Sequence, residues 1–418
     1  MTSTSSPSHK PLSPRAAALR CLLRWDKGGI FAETLISRES AGMSAADRAM
    51  LQSIVLGVLR NLRWLCHIRK QLRSAPLEDK GHWLVIAGLC ELLVLHHAEY
   101  AVVSETVSLA PSRLRGVVNA MLRNALRRKD EILGERKMLS LGMRYSTPDW
   151  LVKRWVRDFG KDDTAALLAW NVQPPPVYAR INPLRPMEKP LADADPLPEL
   201  PGWYRLRAGV PLAALKAGQV YVADPSTRHC VRLLAPQPGE CVLDACAAPG
   251  GKSAAIIAAT MGQVRLCATD AEQHRLPALH ENLQRAGGQD ITVELHDWTH
   301  ACPEKWQGAF DAVLLDVPCS NSGVLQRRVD ARWRLQEKEI ARLAGLQSLI
   351  LEQAAAAVRP GGRLVYSTCS IDHQEDREVV DAFLAEHPEF SLVEDYLALP
   401  HKEQADGAYA ALLLRTSL

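Results

Sequence analysis

From about residue 230 onward the sequence alternates short apolar runs with amphipathic stretches, and nothing else in it restricts the fold so sharply. The runs 241–244, 264–270, 291–296, 310–316 and 363–368 read as strands. The stretches 271–286 and 335–358 space apolar residues three and four apart, as helices do. Parallel neighbours need a crossover between them, so this rhythm predicts an α/β fold with a parallel sheet covered on both faces. A late pair, 390–395 and 409–415, can add antiparallel edge strands. Open parallel sheets bind ligands beyond the carboxyl ends of their strands. Those ends carry the unusual residues here: Asp244 with Gly250 and Gly251, then Asp270, Asp297, Asp316 with Cys319, and Cys369.

The front of the chain has another character. Residues 12–145 follow a helical period throughout, as in "ADRAMLQSIVLGVLRNLRWLCHIRKQL", and predict an all-helical domain. The net charge of +3 hides an asymmetry: residues 1–145 hold 22 Lys and Arg against 12 Asp and Glu, while the remainder holds 28 against 35. A basic appendage of this kind suits a polyanionic partner such as RNA or DNA. A helix beginning near Pro148 is expected to stop at Gly160. The Pro-rich stretch after it, with strand-like "VYARIN" and "WYRLRAGV", predicts a small linking subdomain over 146–222 ahead of a catalytic domain over 223–418. The Ser- and Pro-rich residues 1–11 are expected to be disordered. The longest apolar stretch, 83–95, is interrupted by Glu91 and too short to cross a membrane. Ten cysteines without C-x-x-C or zinc-like spacing point to a reducing, cytoplasmic setting with no metal site.

The loop "DACAAPGGKS" at 244–253 resembles a phosphate-binding loop, yet Cys246 stands where the nucleotide triphosphate motif needs glycine, and Pro249 enters the turn. "AVLLDVP" gives the same NTPase alternative a magnesium-holding aspartate. Against the dinucleotide reading, G-x-G-x-x-G is absent. Asp270, 26 residues after Asp244, is placed to hydrogen-bond two ribose hydroxyls, which favours a single adenosine with an amino-acid tail. "DVPCSNSG" and "YSTCSI" each set a cysteine just past a strand end among polar residues, where a thiolate nucleophile would be used.

Together these motifs, "DACAAPGGK", "DVPCSNSG" with "RRVDARW", and "YSTCS", resemble RNA cytosine-C5 methyltransferases of the RsmB (Fmu/Sun) family. "DRAMLQSIVLGVLR" and "GVVNAMLRNALRR" resemble the NusB-like domain at their front. The resemblance implies a Rossmann-like class I S-adenosylmethionine-dependent methyltransferase domain, preceded by an all-α NusB-like domain and a small α+β linking subdomain. It implies that Cys246, Ala247, Ala248, Pro249, Gly250, Gly251 and Lys252 hold the cofactor. Asp270 takes its ribose, Asp297 approaches its adenine, and Arg275 and Asp316 border it. By the same likeness Cys369 attacks C6 of cytosine, Asp316 meets N3 and the exocyclic amine, and Cys319 assists proton removal and release. The residues alone do not order the two thiols, because DNA cytosine methyltransferases attack with the Pro-Cys thiol. The implied partner is ribosomal RNA, small-subunit 16S rRNA first, with the cytosine in a loop or flipped out. Arg327, Arg328 and Arg332 are expected on its phosphates, and the chain is expected to be a monomer. Transfer RNA or large-subunit rRNA as substrate, and a non-catalytic RNA-binding assembly protein, are the alternatives. Where the family usually has Pro-Glu-Glu-Asn after the second cysteine, this chain has His373, Gln374, Glu375 and Asp376.

Overall fold

The computed structural model describes residues 12–417; the segment 1–11, expected to be disordered, lies outside the described residues. The chain forms two compact units, one ending at Val172 and the other beginning at Gln173.

The first unit is helical. Ser44 caps the helix Ala45–Leu72 by accepting from the Asp47 N–H at 3.1 Å. Leu51, Ile54, Val55, Val58, Leu65 and Ile68 of that helix are buried at the three- and four-residue spacing the sequence shows. The helix Asp79–Leu93 is apolar nearly all round because it is the centre of the bundle, touching Pro14–Asp26, Ala45–Leu72, Glu99–Leu109 and Ser112–Arg127. Its Glu91, 1% exposed, is matched by Arg15 at 2.7 Å and by His97 at 2.9 Å; a buried carboxylate needs such partners. Among the described residues no helix is long and apolar enough to cross a membrane. The helix Asp149–Asn171 breaks at Gly160, where φ of 79° leaves the helical region, and then resumes. The expected stop is therefore an interruption.

The second unit holds two sheets. The smaller contains β1 (Val177–Ile181), β2 (Ala194–Pro196), β3 (Trp203–Leu206) and β4 (Val220–Val222), all antiparallel in the order β2-β3-β1-β4. The larger contains β5 (Cys241–Asp244), β6 (Arg265–Asp270), β7 (Asp290–Leu295), β8 (Phe310–Asp316), β9 (Val358–Thr368), β10 (Phe390–Ala398) and β11 (Ala408–Arg415). Its order is β10-β11-β9-β8-β5-β6-β7, with β5 to β9 parallel. Alternate side chains of β8 feed two cores: Val313 and Leu315 on one face, Ala312 and Leu314 on the other. The late pair is antiparallel as expected, but only β10 is an edge. β11 lies inside, between β9 and β10, because Tyr409, Ala411 and Leu413 join one core while Ala410 joins the other.

Candidate active site

The loop after β5 turns into the helix Gly251–Ala259 at Gly250, whose φ of 103° is a conformation that glycine adopts freely. A Cβ there would crowd Leu279 at 3.0 Å and Leu283 at 3.2 Å. Beneath the loop, Asp244 is fully buried and accepts from the Ser253 hydroxyl at 2.5 Å; burial pushes its pKa up to about 7. Asp270, at the end of β6, accepts the Ala248 N–H at 3.2 Å through one oxygen and the Glu272 N–H at 3.0 Å through the other. Each oxygen keeps a second lone pair, so the carboxylate fits two ribose hydroxyls. Arg275 reaches that carboxylate at 3.8 Å. Asp297 is held below the usual carboxylate range, first by the Thr299 N–H and then by the Thr299 hydroxyl. The first backbone N–H groups of the helix Gly251–Ala259 have no acceptor within it, which suits an amino-acid carboxylate at that end. Cys246 remains a thiol, since desolvation and the surrounding acids raise its pKa. These residues fit an adenosine with an amino-acid tail.

Lys252, expected on the cofactor, is committed to Asp316 at 2.6 Å. Burial alone would lower the Lys252 pKa; the Asp316 carboxylate outweighs it and holds the ammonium above its ordinary range. Lys252 and Cys369 line one cavity of about 80 Å³ together with Thr227, Cys230 and Asp406.

β8 and β9 are neighbours, so the loops that follow them run side by side and bring Cys319 and Cys369 together with their sulfurs 2.9 Å apart. The hydrogen bond with Cys369, then burial, pushes the Cys319 thiol well above its usual range. Asn321 spans the two loops, donating to the Cys319 carbonyl at 2.9 Å and accepting from Cys369 at 3.4 Å.

Sequence reasoning gave no role to Glu375, which is fully buried and ties these loops together. One oxygen accepts the Ser320 N–H at 2.8 Å and the Gln347 amide at 3.0 Å; the other accepts the Ser370 hydroxyl at 2.8 Å. Burial raises its pKa. The neighbouring Asp376 accepts the Thr368 hydroxyl at 2.6 Å, and burial holds its carboxyl far above the usual range. Their place just after Cys369, in the run that departs from the usual pattern, was the available signal.

The three arginines expected on phosphate divide. Arg327 bridges two buried carboxylates, Asp224 and Asp406, each at 2.7 Å. Arg332 is 1% exposed and donates to the Leu325 carbonyl at 2.9 Å. For these two the phosphate expectation is corrected: their guanidinium groups are spent holding the loop after β8. Arg328 is exposed. Among the described residues no group of three or more His, Cys, Asp or Glu side chains could hold a metal ion.

Residues 231–414 match the 16S rRNA methyltransferase RsmB/F family. Residues 12–127 match the NusB family, and 147–191 match the ferredoxin-like domain of RsmF/B-like methyltransferases. Ribosomal RNA small subunit methyltransferase B of Serratia proteamaculans (strain 568) is 35% identical over 417 residues, covering 93% of this chain and 95% of its own. The protein of the same name from Salmonella arizonae is 35% identical over 396 residues, covering 88% and 91%. Among solved structures, PH0851 covers 98% of this chain and 100% of its own at 22% identity, with a TM-score of 0.76. NSun6 from Pyrococcus horikoshii with SFG covers 65% and 99% at 19% identity, with a TM-score of 0.57. These two likenesses are of fold.

Proposed function

Because the chain belongs to the RsmB/F family of 16S rRNA methyltransferases, we propose that it transfers a methyl group from S-adenosylmethionine to C5 of a cytosine in small-subunit ribosomal RNA. The observation that carries this reading is the pair of sulfurs, Cys319 and Cys369, 2.9 Å apart beside the Asp316–Lys252 pair. When bound, S-adenosylmethionine supplies the electrophilic methyl group. Asp270 would hold its ribose, Asp297 would lie toward its adenine, and the turn Cys246–Gly251 would take the amino-acid tail.

Carbon 5 of cytosine is a poor nucleophile until a thiolate adds to C6. Cys369, its thiol proton passed to solvent, makes that addition as the thiolate, forming the S–C6 bond while the C5–C6 π electrons move to C5. Asp316, braced by Lys252, meets the N3 and exocyclic amine edge and steadies the ring as it is attacked. The hydrogen bond with Cys369, then burial, holds the Cys319 thiol above its usual range. After C5 has received the methyl group, Cys319, its own proton passed to solvent, takes the proton from C5; the C5–H electrons form the C5–C6 double bond and the S–C6 bond breaks with its electron pair returning to Cys369. A cytosine stacked in a duplex presents neither carbon to this pair, so the target is unpaired or flipped out.

The basic helical front, 12–145, grips the RNA, the linking residues 146–222 connect it, and 223–418 carry the chemistry. The chain acts as a monomer in the cytoplasm. The test is to incubate the purified chain with methyl-labelled S-adenosylmethionine and, separately, small-subunit rRNA, large-subunit rRNA and transfer RNA, mapping 5-methylcytosine by bisulfite sequencing. Label at one small-subunit cytosine is expected. Label confined to another RNA overturns the substrate, and label on none overturns the activity.

A further inference from the structure

A groove of about 560 Å³ runs along the second unit, outside the site described above. One wall is the helix Arg228–Leu234, which presents Arg228, Val231 and Arg232 at the spacing of a single helical face. Ala255, Ala258 and Ala259 of the helix Gly251–Ala259 form a low floor at the same spacing. The opposite wall comes from β1 and β3. There Arg180 stands directly across from Trp203 on β3 and from Tyr221 on β4, so the three side chains share a face of the small sheet. The Arg180 guanidinium lies 6.0 Å from the centre of the Trp203 ring.

The cations of this groove are not equally satisfied. Arg228 donates to Glu403 at 3.2 Å and to the Pro225 carbonyl at 3.0 Å; Arg232 donates to Glu394 at 2.6 Å. Arg180 has no ion pair among the described residues, and its buried Nε has no hydrogen-bond acceptor. Desolvation lowers its pKa, as expected of a buried cation beside the Trp203 ring with no counter-charge. A desolvated, unpaired guanidinium is unfavourable, and a rigid five-donor fork is shaped for the oxygens of a phosphate.

The position of the groove bears on what fills it. The helix Arg228–Leu234 begins at the catalytic cavity, where Thr227, His229 and Cys230 share lining with Cys369 and Lys252. The floor helix begins at the loop that turns at Gly250. The groove is therefore a flank of the two helices that set the catalytic loops, and its apolar floor leaves room for a sugar beside the charge. We propose that Arg180, flanked by the ion-paired Arg228 and Arg232, forms a subsite for a backbone phosphodiester of the RNA strand. This rests on the reading of the protein as an RNA methyltransferase and adds a contact that holds substrate away from the reacting base.

The test uses the full chain and a small-subunit rRNA transcript. Arg180→Gln is expected to raise KM for the transcript about tenfold while leaving kcat and S-adenosylmethionine binding within twofold. It should also reduce the slope of log affinity against log salt by about 0.7, the loss of one single-strand phosphate contact. Arg180→Lys should recover much of the affinity. Arg232→Gln, on an exposed helix face, should shift affinity in the same direction and keeps the question open to test if Arg180→Gln does not fold. Unchanged affinity and salt slope in the folded variants overturn the subsite. Competition by a mononucleotide as strong as by an RNA fragment at equal phosphate overturns the polynucleotide as occupant. A wild-type chain that binds the transcript without methylating it sinks the activity alone, and the salt slopes still decide the groove.

Discussion

Glu375 shows how much one buried carboxylate can organise. It satisfies donors from Ser320, Ser370 and Gln347, on three separate segments, and so fixes the spacing of the two cysteine loops. Glu375→Ala leaves those donors without an acceptor and is expected to destabilise the protein by about 3 kcal/mol. It should also lower kcat more than it raises KM; Glu375→Gln, which keeps an acceptor, should lose less on both counts, as urea unfolding and initial rates can check. Asp244 gives a prediction in pH. Its folded pKa is raised to about 7, so the native state favours its neutral form. The stability this group contributes is fully present below its ordinary carboxylate pKa and is lost as pH rises through about 7. Asp244→Asn removes that dependence. The stability gap between wild type and variant should therefore move in favour of the variant between pH 5 and pH 8. A gap that does not change with pH would show that Asp244 is ionised throughout.

Gly323 sits where the two cysteine loops meet the start of β11. Its N–H donates to the Cys369 carbonyl at 3.0 Å, and its own carbonyl accepts the Gly407 N–H at 2.8 Å. A Cβ at this position would lie 2.6 Å from the Gly407 carbonyl oxygen and 2.7 Å from that of Cys369, both backbone atoms. Gly323→Ala must therefore push the loops apart. It is expected to cost about 1–3 kcal/mol and to lower activity at least about tenfold while S-adenosylmethionine binding persists. Near-normal turnover would show that the sulfur spacing tolerates such movement. The strands that carry these loops were legible in the sequence, because each apolar run of β5, β6 and β8 ends at an acid where the periodicity breaks. The insertion of β11 between β9 and β10 was not, since antiparallel pairing is decided by contacts distant in the chain. Nor were the duties of Arg327, whose partners Asp224 and Asp406 lie 103 and 79 residues away. A run of arginines reads locally as a phosphate-binding patch; only the fold shows that two of them are used internally. The site was legible as residue types at strand ends. The Lys252–Asp316 pair and the Glu375 clamp were not, because both join segments separate in sequence.

Charge organises the chain as a whole. The first 145 residues carry a net +10 and the rest −7, a distribution that suits a basic front able to grip RNA. RNA affinity should accordingly fall by at least about tenfold between roughly 50 and 200 mM salt; a flat response would deny the front that role. The central claim is narrower: two sulfurs from adjacent loops act in turn on one pyrimidine, Cys369 by forming a bond and Cys319 by allowing it to break. The most direct measurement is a denaturing gel of Cys319→Ala and Cys369→Ala after incubation with small-subunit rRNA and S-adenosylmethionine. A covalent protein–RNA band is predicted for Cys319→Ala and none for Cys369→Ala. A band in the Cys369→Ala lane would contradict this account and reverse the roles of the two thiols.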